Sequence, residues 1–182
     1  MMNLPNLITL LRLALVPVMA WCVLSGSYAA AAIVFLTAAV SDLADGYIAR
    51  RFGMVSRFGA LLDPVADKLN MFVATIVLAS RDFVPLWLAG AIIARDVAIV
   101  LGVLAYRMRG KSLEMKPSRL SKLNTFVEFA VLTLVFASAA RWVDVDAWLP
   151  LLFRIVLVTV IASAAHYAWL WSRGRLRMRR SS

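Results

Sequence analysis

Residues 41–68 read SDLADGYIARRFGMVSRFGALLDPVADK. Asp42, Asp45, Asp63 and Asp67 fall within 26 residues here, in a chain that is 63% hydrophobic and has only ten acidic residues in all. On an α-helix, residues three or four apart project from one face, so Asp42/Asp45 and Asp63/Asp67 each form a same-face pair. Two such helices side by side would bring four carboxylates to one point. At the centre of a bilayer each unpaired Asp costs about 2.5–3.5 kcal/mol, and divalent cations would offset that penalty. Carboxylates without Cys or His suit hard ions, Mg²⁺ or Mn²⁺, and argue against zinc or copper.

The small and basic residues nearby extend the picture. Gly46 and Gly59 have no Cβ, which lets a second helix or a flat ligand approach the backbone. Arg50, one turn beyond Gly46, has the fork geometry that grips phosphate through two parallel hydrogen bonds. Metal ligands, a guanidinium and small residues together describe a diphosphate site.

Taken together, Asp42, Asp45, Gly46, Ala49, Arg50, Gly59, Asp63 and Asp67 resemble, at every position and spacing, the motif of the CDP-alcohol phosphatidyltransferase family. The resemblance implies a membrane enzyme that moves a phosphatidyl group from a CDP-linked lipid to an alcohol and releases CMP. It further implies two Mg²⁺ or Mn²⁺ ions ligated by Asp42, Asp45, Asp63 and Asp67, with Asp67 also the general base. Gly46, Ala49, Arg50 and Gly59 would line the CDP pocket, and a homodimer is expected.

Outside the motif, 182 residues and a mean hydropathy of +0.83 point to a single polytopic membrane domain, since a soluble domain of this size could not hide so much apolar surface. The formal charge of +10 comes from basic residues gathered at the ends of apolar runs, which places anionic headgroups rather than nucleic acid opposite them. The lone cysteine, Cys22, excludes an intrachain disulfide and reads as a small packing residue. The first apolar run has neither a basic leader before it nor a cleavage pattern after it, so a signal peptide is not expected. The lack of an Arg- and Ser-rich transit segment favours a bacterial cytoplasmic membrane.

Hydropathy and turn residues predict an all-α protein of six transmembrane helices, at about 7–24, 28–48, 59–80, 85–106, 123–140 and 148–171, preceded by a short interfacial helical segment. Pro64 belongs in a first helical turn, so the second half of the motif lies near the start of the third helix and both halves meet one membrane face. The motif loop, the 107–122 loop and the tail hold 14 of the 20 basic residues, whereas Arg81 and Arg141 mark the other side. Both termini and the motif are thereby expected in the cytoplasm.

Four basic residues are candidates for the acceptor's phosphate: Arg12, Arg95, Arg119 and Lys122. Against that stand a snorkelling anchor for Arg12 and a lipid-facing basic surface for the others. Arg95-Asp96, with Lys116-Pro117 and Ser121-Lys122-Leu123-Asn124-Thr125, resembles the cardiolipin-forming branch of the family, whose acceptor is phosphatidylglycerol. The alternative acceptor is glycerol-3-phosphate, in the phosphatidylglycerophosphate-forming branch, whose fourth span commonly has Arg-Glu and whose fifth opens with Gly-Lys-x-Lys-Thr. A cation transporter would also use intramembrane carboxylates, but the acids here stand at span ends beside an Arg that would repel a permeating cation. Trp87, Trp142, Trp148, Trp169 and Trp171 read as aromatic belts. His166 reads as a hydrogen-bonded, bundle-facing side chain.

Overall fold

The computed structural model describes residues 4–52, 57–108 and 119–172, with side chains described over 10–41, at 66, and over 68–102 and 119–169. Every regular element among them is helical: α1 (Leu4–Leu24), α2 (Tyr28–Phe52), α3 (Arg57–Ala79), α4 (Leu86–Met108), α5 (Arg119–Ala139) and α6 (Leu149–Ser172), with one turn of 3₁₀-helix at Asp146–Trp148. Two stretches, Arg119–Ala139 and Asp146–Trp169, are by length and composition apolar enough to cross a membrane.

Five of the six helices are longer than the apolar runs that announce them. Hydropathy marks where a helix leaves oil, while the backbone hydrogen bonds continue as long as the residues favour helix. Thus α2 continues through Arg50 and Arg51 to Phe52, and α5 begins at Arg119, so that Ser121 and Lys122 are helical rather than part of a loop. At the other end of the chain, the expected interfacial segment and first span form one helix, which carries Pro17 in its interior. Proline removes one backbone donor there, a loss that neighbouring helices can make good in a membrane bundle.

Three helices end in the same way. After α1, α3 and α5 the chain closes with paired bonds from Ser27 N to Cys22 O and Gly26 N to Val23 O, from Phe83 N to Leu78 O and Asp82 N to Ala79 O, and from Trp142 N to Ala137 O and Arg141 N to Ser138 O. This is the Schellman arrangement, which satisfies orphan carbonyls and requires a left-handed residue just past the helix. Gly26, Asp82 and Arg141 occupy that position with φ of 79°, 61° and 60°. Only the first has the residue that adopts it without steric cost.

The chain divides into two compact units. Residues 1–85 and 132–146 form the first, and 86–131 and 147–182 the second. In the first unit, α1 packs against α2 and α3. Val16, Met19 and Val23 of α1 are buried, as are Ala31, Ala32, Phe35 and Ala38 of α2 and Ala66, Ala74 and Leu78 of α3. The alanines let backbones approach closely, which is how helices gain contact where lipid offers no hydrophobic driving force. Phe35 meets Phe136 with ring centroids 4.8 Å apart. Arg81 donates to the Leu24 carbonyl, tying the end of α3 to the end of α1.

In the second unit, α4 packs against α6. The buried residues of α6 are Phe153, Val156, Val160, Ser163 and Tyr167, a repeat of three and four that marks one face of a helix. Its other face is apolar and exposed, with Val158 at 65% and Ile161 at 58%. An apolar exterior around a core that contains serine inverts the arrangement of a water-soluble helix and suits lipid. Trp87, Trp142, Trp148 and Trp169 are all exposed, and the side chain of Trp171 falls outside the described residues.

Candidate active site

Asp42 and Asp45 lie on α2 and Asp63 and Asp67 on α3, so each pair keeps its helical spacing of three or four residues. Gly46, Ala49 and Arg50 follow on α2, and Gly59 lies in the first turn of α3. The side chains of all eight fall outside the described residues. Among the described residues no group of three or more His, Cys, Asp or Glu comes together.

The four basic candidates separate by burial. Arg119 and Lys122 are exposed in the first turn of α5, in keeping with a solvated basic surface. Arg12 is 1% exposed, which does not fit a side chain reaching out to headgroups. Arg95 is 6% exposed and lies at the centre of a polar cluster. Its Nη1 donates to Asp96 Oδ1 at 2.7 Å, and its Nη2 donates to Ser121 Oγ at 2.8 Å and to Ser163 Oγ at 2.6 Å. A charge this deep is tolerable because an opposite charge and hydroxyl oxygens surround it. Arg95 Nε nevertheless has no hydrogen-bond partner among the described residues.

The cluster continues along the facing sides of α5 and α6. Asn124, one turn past Ser121, donates from Nδ2 to Glu128 Oε2 at 3.2 Å and accepts from Thr159 Oγ1 at 3.0 Å on Oδ1. Thr159 is in turn one helical turn before Ser163, so the two sets of contacts form one polar seam in an apolar unit. Asn124 and Ser163 are fully buried and Glu128 is 6% exposed.

Sequence reasoning singled out Arg95 but not Ser121, Asn124, Glu128, Thr159 or Ser163 as members of a site. A signal was available at Glu128, an acid inside an otherwise apolar run, which is costly without partners. Ser121 and Asn124 stand in the segment that resembles the cardiolipin-forming branch, whereas Thr159 and Ser163 carry no signal, because such residues satisfy themselves on their own helix. Thr37, Thr75 and Thr125 all bond the carbonyl four residues back. His166 departs from expectation. It is half-buried, its ring lies near-parallel to Trp169 with centroids 6.1 Å apart, and it makes no hydrogen bond among the described residues.

A family model, CDP-alcohol phosphatidyltransferase, matches residues 2–161. The cardiolipin synthase (CMP-forming)/mitochondrial hydrolase fusion protein of Schizosaccharomyces pombe is 41% identical over 91% of this chain, which spans 30% of that protein. The CDP-diacylglycerol–glycerol-3-phosphate 3-phosphatidyltransferase of Bacillus subtilis is 32% identical over 80% of this chain and 89% of its own length. The cardiolipin synthase (CMP-forming) of Rattus norvegicus is 31% identical over 91% of this chain, which spans 60% of it. With the motif complete on α2 and α3 and the family model running through five helices into the sixth, the chain belongs to the CDP-alcohol phosphatidyltransferase family.

Proposed function

We propose that the protein transfers the phosphatidyl group of CDP-diacylglycerol to a hydroxyl of phosphatidylglycerol, giving cardiolipin and CMP. The observation that carries this reading is the intact motif in a chain 41% identical to a cardiolipin synthase fusion protein. In the reaction, the acceptor hydroxyl oxygen forms a bond to the phosphatidyl phosphorus, the bond from that phosphorus to the CMP oxygen breaks, and the hydroxyl proton passes to Asp67. An ionised carboxylate within reach of the hydroxyl has the chemistry for that role.

Four carboxylates and no softer ligand fit Mg²⁺ or Mn²⁺, with Asp42, Asp45 and Asp63 as ligands and Asp67 shared between metal and proton transfer. When bound, two such ions would neutralise charge on the diphosphate. Gly46 and Gly59 leave room for the nucleotide, Ala49 is small enough to line the same pocket, and Arg50 pairs with phosphate. Of the acceptor candidates, Arg95 is favoured by its burial, and Arg12 follows for the same reason; Arg119 and Lys122 are better read as surface charge.

All six helices would span a bacterial cytoplasmic membrane, with both termini and the motif on the cytoplasmic side, as a single domain that pairs into a homodimer. Lengths of 21 to 25 residues per helix suffice for a hydrocarbon core of about 30 Å. The Bacillus relative, matched over most of its length, supports a second reading in which glycerol-3-phosphate is the acceptor.

The deciding experiment supplies purified protein with Mn²⁺ or Mg²⁺, CDP-diacylglycerol and one acceptor at a time. Cardiolipin formed from phosphatidylglycerol is expected. Product with glycerol-3-phosphate alone would replace the first reading with the second. Asp67→Asn is expected to abolish CMP release with helicity unchanged, and an active Asn variant would remove Asp67 from its role.

A further inference from the structure

Arg95 holds more hydrogen-bonding capacity than its surroundings use. A guanidinium has five N–H donors in a fixed fork. Asp96 takes Nη1, and Ser121 and Ser163 take Nη2, but the Nε–H is buried with no partner among the described residues. In that fork Nε–H and one Nη2–H point along the same edge; with both Nη2 hydrogens donated to the serines, the Nε–H is the donor left on that edge for an oxygen of a phosphate or carboxylate.

The serines answer one another across this edge. Ser163 is fully buried on the inward stripe of α6, between Val160 and Tyr167, where alanine would fill the same space without a polar atom. Its oxygen accepts from Arg95, which leaves the hydroxyl proton directed elsewhere, and among the described residues no acceptor meets it. Ser121 reaches the same nitrogen from α5. The guanidinium is therefore clamped from three helices: Asp96 beside it on α4, Ser121 on α5 and Ser163 on α6. A flexible side chain loses rotamer freedom when a ligand engages it, and a clamp of this kind removes that loss beforehand.

We propose that Ser121 and Ser163 are positioning residues that hold Arg95 with its Nε edge open to a non-bridging oxygen of the acceptor's phosphate. This rests on the reading that Arg95 binds the acceptor, and it applies to either acceptor, because phosphatidylglycerol and glycerol-3-phosphate both carry a phosphate.

The test uses the full chain in detergent–lipid micelles, with Ser163→Ala and Ser163→Thr measured beside the wild type. Losing the clamp without losing the charge is expected to raise the acceptor KM on the order of tenfold, with kcat and the KM for CDP-diacylglycerol within about twofold. Ser163→Thr, which keeps the hydroxyl, is expected to recover most of the acceptor KM. A second readout needs no turnover: phosphatidylglycerol alone should raise the melting temperature of the wild type, and less so that of Ser163→Ala.

A merely structural serine would move both KM values and kcat together, and that result, or an unchanged acceptor KM, would overturn the proposal. Should the wild type turn over glycerol-3-phosphate alone, the acceptor assignment fails while the KM for glycerol-3-phosphate still decides the role of Ser163. Should Arg95→Lys leave the acceptor KM unaltered, the underlying reading of Arg95 fails instead, and the clamp has nothing to position.

Discussion

Replacing Arg95 by methionine keeps an apolar stem of similar length and removes the charge. Asp96, with its side chain 17% exposed, then loses the guanidinium 2.7 Å away. Removing one member of a buried ion pair costs about 3–5 kcal/mol, and the partial exposure of Asp96 places this case near 3. The two bonds to Ser121 and Ser163 add about 0.6 kcal/mol each, the average for side-chain hydrogen bonds between membrane helices. The total is about 4 kcal/mol, which for a chain of this length corresponds to a fall of about 8–16 °C in melting temperature.

Thermal unfolding followed by circular dichroism in a single detergent measures it. Asp96→Asn on top of Arg95→Met removes the charge that faced the lost guanidinium and is expected to recover part of the loss, because much of the cost of breaking a buried pair lies in the charge that stays behind. An Arg95→Met protein that melts within about 3 °C of the wild type, or a double variant no better than the single one, would refute the claim that this pair is buried and coupled.

Other expectations follow from the helix ends and the seam. Gly26→Ala meets nothing within 4 Å, so its effect is backbone strain alone at φ 79°, about 1–2 kcal/mol, readable as a lower melting temperature. Arg141→Gly runs the other way: relief at φ 60° exceeds the added chain entropy, and a gain of about 0.5 kcal/mol in the same assay is expected. Asn124→Ala removes two hydrogen bonds from a fully buried position, with about 1–2 kcal/mol lost in thermal unfolding; no loss would show the Glu128 and Thr159 contacts to be dispensable. Chelation with EDTA is expected to stop CMP release and excess Mg²⁺ or Mn²⁺ to restore it, whereas chelator-resistant turnover would exclude the carboxylate metal site.

Much of this molecule can be read along the chain because its causes are local. Apolar runs of membrane length dictate helices, since no other open backbone can satisfy its polar groups in lipid. Asp42, Asp45, Asp63 and Asp67 stand out for the same reason: an acid among oily residues is expensive, so its presence signals a use. Turn residues located the breaks between the predicted spans at 24–28, 80–85 and 140–148, although the left-handed turns at Asp82 and Arg141 have no glycine to announce them.

Other features depend on which helix faces which, and there hydropathy says little. Arg12, Arg95, Arg119 and Lys122 are equivalent as basic residues within or beside apolar runs, yet two are buried and two exposed, because burial is a property of the packed neighbours. Thr159 and Ser163 are unremarkable in sequence, since a hydroxyl can always turn back to its own helix. It is the approach of α4, α5 and α6 that turns Ser121 and Ser163 toward a guanidinium and Thr159 toward Asn124. Composition and spacing thus determined the class of chain and the residues able to do chemistry, and tertiary packing decided which of the cations is held in place, since a hydrogen bond between helices depends on three-dimensional distance rather than on order along the chain.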